Sequence, residues 1–152
     1  MTRLALAIAT ALGVGFAPFA PGTFGSAVGL LLWAALPTSI VVQAVAVAVV
    51  FIAGTWAAGV TERHYNATDP SAVVIDEVLG MLVTLLLNPV AWPGAALAFV
   101  LFRAFDVVKP YPANRFERLH GGFGVMADDA MAGVYANMVL RLALALAPAG
   151  LL

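Results

Sequence analysis

Adjacent carboxylates at Asp76-Glu77 and Asp128-Asp129, a fifth acid at Asp106 and the cations Arg103 and Lys109 are the side chains here best suited to chemistry. Each sits near the end of an apolar run. Val74-Ile-Asp-Glu-Val-Leu-Gly-Met81 opens a stretch reaching Leu87, and Phe102-Arg-Ala-Phe-Asp-Val-Val-Lys-Pro110 closes another. Asp128-Asp129 follow Gly121-Gly-Phe-Gly-Val-Met126. Carboxylates in apolar surroundings are costly unless a cation meets them, and several facing one another repel. A divalent cation with oxygen ligands removes that conflict. The chain has no cysteine and two histidines, His64 and His120, so it offers no thiolate site and little for a zinc centre. The ion expected is hard, namely Mg2+, which keeps several waters and bridges carboxylates to a substrate phosphate.

All five acids are candidate catalytic residues. Asp76, Glu77, Asp128 and Asp129 are the expected metal ligands, with Asp106 a further ligand or a general base. Arg103 offers phosphate a two-pronged fork and Lys109 a point charge. Thr23 and Ser26, in Ala20-Pro-Gly-Thr-Phe-Gly-Ser26, are candidates to help hold the phosphate at a helix N-terminus. The chemistry expected is metal-assisted phosphoryl transfer to water.

Each feature also has a plainer reading. Arg103 and Asp106 are three apart and can neutralise each other on one helix. Asp128 or Asp129 can cap a helix, as can Thr23 or Ser26. Gly121-Gly-Phe-Gly124 can be a flexible turn rather than an amide cradle. His120 is a weaker candidate base, and a lone loop histidine is more often a bystander. Capping does not explain Asp76, Glu77 and Asp106 together, which favours the metal reading.

The elements that must position these residues follow from hydropathy. With 152 residues the chain is expected to form one domain. Its 63% hydrophobic content exceeds the roughly 45–50% of soluble chains. Only 10% of residues are charged, and mean hydropathy is +1.02, which points to an integral membrane protein. A net charge of −1 gives no electrostatic case for nucleic acid. Residues 4–17 resemble a short signal sequence, but Phe16, Pro18 and Phe19 fit a cleavage site poorly, so a short interfacial helix is expected.

The fold expected is an all-α polytopic membrane bundle with about four transmembrane helices plus that short N-terminal helix. Ile40–Val60 is the clearest span, joined by apolar segments near 27–36, 72–87, 94–108 and 127–147. Thr61–Ser71 and Tyr111–Gly124 read as polar loops, whereas the links Pro37–Ser39 and Asn88–Trp92 carry no charge. Alternation then puts Arg3, Arg63, Lys109, Arg115 and Arg118 on one side, which the positive-inside rule makes cytoplasmic. Arg141 is the basic exception near the far end. The same alternation brings Asp76, Asp106 and Asp128 to one membrane surface.

Together, Pro21-Gly-Thr-Phe-Gly-Ser26, Asp76-Glu77 with Gly80-Met81, Phe102-Arg103 with Asp106, Lys109-Pro110 with Pro112, and Gly121-Gly-x-Gly-x-Met-x-Asp-Asp129 with Ala132-Gly133 resemble the phosphatidylglycerophosphatase A family. The likeness runs from about Gly13 to Gly133. It implies a multi-pass bacterial inner-membrane enzyme that uses Mg2+ to remove the terminal phosphate of phosphatidylglycerophosphate, giving phosphatidylglycerol. Two other classes fit the acids less well. A small transporter or ion channel would spread them through bilayer depth, and a non-catalytic subunit of a membrane complex would pair them with a partner.

Overall fold

The computed structural model describes residues 1–116, 119 and 121–147. Among these, seven α-helices form and no strand: α1 (Thr2–Ala9), α2 (Pro21–Ala35), α3 (Ile40–Tyr65), α4 (Ile75–Leu85), α5 (Trp92–Val108), α6 (Ala113–Phe116) and α7 (Gly122–Leu146). A 3₁₀ turn, Val14–Phe16, lies between α1 and α2. The uncharged run from Ile40 carries α3 through 26 residues, until Asn66 adopts a left-handed conformation (φ 50°) that ends it.

Among the described residues two helices, α3 and α7, are long and apolar enough to cross a bilayer. About four were expected. Helices α2, α4 and α5 have 15, 11 and 17 residues, short of the roughly 20 that a full span needs. Local bonding shortens α4: the Val73 N–H donates to Pro70 O (2.8 Å) and the Val74 N–H to Ala9 O (2.9 Å), so helix begins only at Ile75. Asp76 and Glu77 therefore occupy its first turn, where the helix dipole favours negative charge.

Two other starts differ from expectation. Helix α2 opens at Pro21 rather than Ala27, because proline at the first helical position needs no N–H partner there. Thr23 and Ser26 are thus helical residues rather than caps. Helix α7 opens at Gly122 rather than Ala127, after Gly121 turns the chain with φ 86°. Asp128 and Asp129 then fall in its second turn, too deep to be caps. The expected polar loop after Thr61 is likewise part helix, since α3 runs on through Glu62, Arg63 and His64.

Close glycine contacts set the helix directions. Gly22 packs on Glu77, Gly25 on Val74 and Gly29 on Met81, so α2 runs parallel to α4. Gly133 packs on Gly80 and Val83, which makes α4 parallel to α7. Gly54 meets Met126 whereas Gly59 meets Gly122, so α3 is antiparallel to α7. Arg103 near Glu77 and Phe102 against Gly80 set α5 antiparallel to α4. The starts of α2, α4 and α7 and the ends of α3 and α5 consequently share one end of the bundle.

The buried core joins Ala5 and Ala9 of α1 to Ala57 and Ala58 of α3, and continues through Val78, Leu79, Leu82 and Met126. A second cluster packs Met81 and Leu85 against Phe102, Ala132, Ala136 and Leu140. The outside is apolar as well: Val41, Val45, Val49 and Ile52 stand exposed along α3, and Met138, Leu142 and Leu146 along α7.

Candidate active site

At the shared end, helices α4, α5 and α7 bring in all five candidate acids. The four aspartates Asp76, Asp106, Asp128 and Asp129 are only 3–8% exposed, so each must find its counter-charge inside the protein. Asp76, Glu77 and Asp129 converge, each with a carboxylate oxygen within 4.8 Å of the others'. Adjacent oxygens on an octahedral Mg2+ at about 2.1 Å lie about 3.0 Å apart, so the three carboxylates would have to draw closer together around an ion. Glu77 Oε2 and Asp129 Oδ2 are buried without a hydrogen-bond partner. Hard oxygen donors, two of them unpartnered, fit a hard divalent cation.

Neighbouring residues on a helix point about 100° apart, and that separates the two aspartates of α7. Asp129 faces the cluster, and the backbone next to it is close-packed: a Cβ on Gly80 would lie 2.9 Å from Asp129 O. Asp128 turns instead toward Lys109, whose Nζ donates to Asp128 Oδ2 at 2.6 Å. It lies outside the three-carboxylate group. Asp129 still senses the charges of Asp106, Glu77 and Asp128, and Asp76 those of Glu77 and Asp129, so the five acids form one electrostatic unit.

Arg103 Nη1 donates to Asp106 Oδ2 at 2.5 Å and lies 3.7 Å from Glu77 Oε1. The intrahelical pair foreseen from spacing is present, and the guanidinium also crosses from α5 to α4. Lys109 ends α5 in a left-handed conformation (φ 44°), which directs its stem toward α7. Both side chains keep partial exposure, 23% for Arg103 and 22% for Lys109, so an anion can reach them.

The remaining candidates divide. Ser26 is buried and its hydroxyl donates to Gly22 O at 2.8 Å. Thr23 lies half-buried in the first turn of α2, next to Gly22. Gly122 and Gly124 let backbones approach, against Thr55 O and Leu119 O respectively, and the Gly124 N–H donates to Gly121 O (2.9 Å). His64 is exposed and packs edge-on to Tyr65 at 5.1 Å. His120 and Arg118 lie outside the described residues. Sequence reasoning missed Gly22, whose hydrogen atoms face Glu77 and Arg103. The signal was present in glycines 22, 25 and 29, spaced to share one helix face.

The sequence is similar to those of known proteins. The sequence profile of the phosphatidylglycerophosphatase A family matches residues 7–144. A Bacteroides thetaiotaomicron protein named "Putative phosphatidylinositol-3-phosphatase" is 41% identical over 149 residues, covering 92% of this chain and 93% of its own. Two proteins named phosphatidylglycerophosphatase A are similar at lower identity. The Haemophilus influenzae protein is 35% identical, covering 88% of this chain and 84% of its own. The Escherichia coli protein is 34% identical, covering 88% and 79%. No solved structure matches the chain. The chain belongs to the phosphatidylglycerophosphatase A family, a family of phosphoric monoester hydrolases.

Proposed function

We propose that this chain is a Mg2+-dependent lipid phosphatase that converts phosphatidylglycerophosphate to phosphatidylglycerol and phosphate. The observation that carries the reading is the meeting of Asp76, Glu77 and Asp129, with two oxygens unpartnered, beside Arg103 and Lys109 at one end of an apolar-surfaced bundle. Asp76, Glu77 and Asp129 hold the cation, with Asp128 at the edge of the site. Bound Mg2+ supplies positive charge to the phosphate oxygens and to the attacking water. Arg103 and Lys109 orient the phosphate, with Thr23 at the rim. Asp106 is the candidate base, and Arg103 holds its carboxylate. Water's oxygen bonds to phosphorus, the P–O bond to glycerol breaks, and the lipid alcohol leaves with a proton.

The bundle is a multi-pass protein of the bacterial inner membrane. Helices α3 and α7 span it, the shorter helices pack against them, and the acidic end faces the cytoplasm. An apolar exterior keeps the acyl chains in hydrocarbon while the headgroup reaches the acids. The name of the Bacteroides relative favours a second headgroup with the same bond class, a phosphomonoester on inositol.

Phosphate release from phosphatidylglycerophosphate and from phosphatidylinositol 3-phosphate, by purified protein with Mg2+ or EDTA, decides the substrate. Turnover of neither lipid by wild type would instead favour a cation pathway or a subunit role.

A further inference from the structure

We infer that Tyr135 is a positioning residue for Lys109, holding the segment from which that lysine reaches the site. Asp128 and Tyr135 lie seven residues apart on one face of α7, and the chain leaving α5 is fastened to both. Lys109 Nζ bonds to Asp128 Oδ2 (2.6 Å), and two residues later Tyr111 O accepts a hydrogen bond from the Tyr135 hydroxyl at 2.9 Å. The Tyr135 ring packs on Phe105 at 5.7 Å, next to Asp106, so the same side chain touches both α5 and the segment after it. From outside, the Arg115 guanidinium lies 5.0 Å from the centre of the Tyr111 ring. A segment clasped this way has reason to be fixed: Lys109 takes a left-handed φ of 44°, a conformation that costs a non-glycine residue energy and persists only where its surroundings enforce it. A helix side chain leans toward its own N-terminus, so the Tyr135 hydroxyl reaches back toward the acidic end. Removing that hydroxyl lets the segment relax and the ammonium drift, with the carboxylates untouched.

This inference rests on the reading that Lys109 meets the substrate phosphate. The test is a double-mutant cycle in full-length protein, combining Tyr135→Phe, which keeps the ring, with Lys109→Gln, which keeps a donor for Asp128. Tyr135→Phe should raise KM for phosphatidylglycerophosphate about five- to tenfold, with kcat within about twofold and the thermal midpoint unmoved. In the Lys109→Gln background the same change should cost less than about twofold, because the two residues act through one contact. An unchanged KM, equal factors in both backgrounds, or a loss confined to kcat overturns the inference. Binding of inorganic phosphate by equilibrium dialysis runs the same cycle without turnover. If wild type proves inactive, the function fails while the coupling of Tyr135 to Lys109 is still read.

Discussion

The α-carbon of Gly22 rests against the carboxylate of Glu77, so close that a methyl group there would overlap Oε1 and stand 3.1 Å from Arg103 Nη1. Helix α2 thus forms a wall of the acidic site although it contributes no acid to it. Gly22→Ala should push Glu77 aside and lower kcat by about tenfold, or about 1.4 kcal/mol of barrier. Stability should change little, since the obstacle is the far end of a side chain. Gly133→Ala should do the opposite, because its Cβ would meet the Gly80 carbonyl oxygen at 2.5 Å and Val83 Cβ at 3.0 Å. Overpacking of that kind costs about 1–3 kcal/mol. Kinetics and thermal unfolding of both variants separate the two effects, and full activity in Gly22→Ala would remove α2 from the site.

Replacing Asp129 with Asn removes one of three converging carboxylates, one with an unpartnered buried oxygen. Phosphate release should fall by about tenfold or more, as should that of Asp76→Asn. Mg2+ at about 100 times its Kd should stabilise wild type by about 2.7 kcal/mol and the variant far less. In EDTA the order should reverse, since the variant has less repulsion to hold. Equal Mg2+-induced shifts in thermal midpoint would put the ion elsewhere.

Far from the acids, Asn137 Nδ2 donates to Val83, Thr84 and Leu86 carbonyls at 3.0, 2.9 and 2.8 Å, closing the C-terminal end of α4. Asn137→Ala takes one donor from each carbonyl, but Asn88 Nδ2 still reaches Thr84 O (3.1 Å) and the Leu86 N–H still reaches Val83 O (3.3 Å), so the loss should be about 1 kcal/mol. Chemical denaturation should register the loss while activity per folded molecule holds. A fall in kcat without a fall in stability would mean that the α4 terminus communicates with the site.

The natural sequence has no cysteine, so single ones can report sidedness. Thr68→Cys lies beyond α3 at the acidic end, and Ser39→Cys in the uncharged link between α2 and α3. A maleimide that cannot cross the membrane, applied to the periplasmic side, should label the cysteine at 39 and spare the one at 68. Labelling of both, or the reverse pattern, contradicts a cytoplasmic site.

Much of this arrangement could be read from residue order. Hydropathy alone put Asp76, Asp106 and Asp128 at one end, because alternating apolar runs joined by uncharged and charged links leave few ways to fold back. Helix starts were harder to read. Pro21-Gly22 and Gly121-Gly122 look like turns, yet at Gly22 and Gly122 the missing side chain admits a neighbouring helix. The partner of Asp128 was also hidden. Lys109 is 19 positions away, and spacing does not tell which of two adjacent acids a flexible ammonium will reach. The extent of α4 was hidden for a related reason: the apolar run at 72–87 reaches past both ends of Ile75–Leu85, where bonds to Ala9 and Asn137 cut the helix short.

Asp76 and Glu77 sit on the fourth helix, whereas Asp129 arrives on the last, joined to them across the Gly80–Gly133 contact. During synthesis the ribosome therefore delivers two adjacent acids well before their companion emerges. On the proposed reading, a nascent chain stalled short of α7, or a truncated product, carries two of the three cation ligands and should be catalytically silent. Hydrolysis should begin only once that closing helix has packed into place.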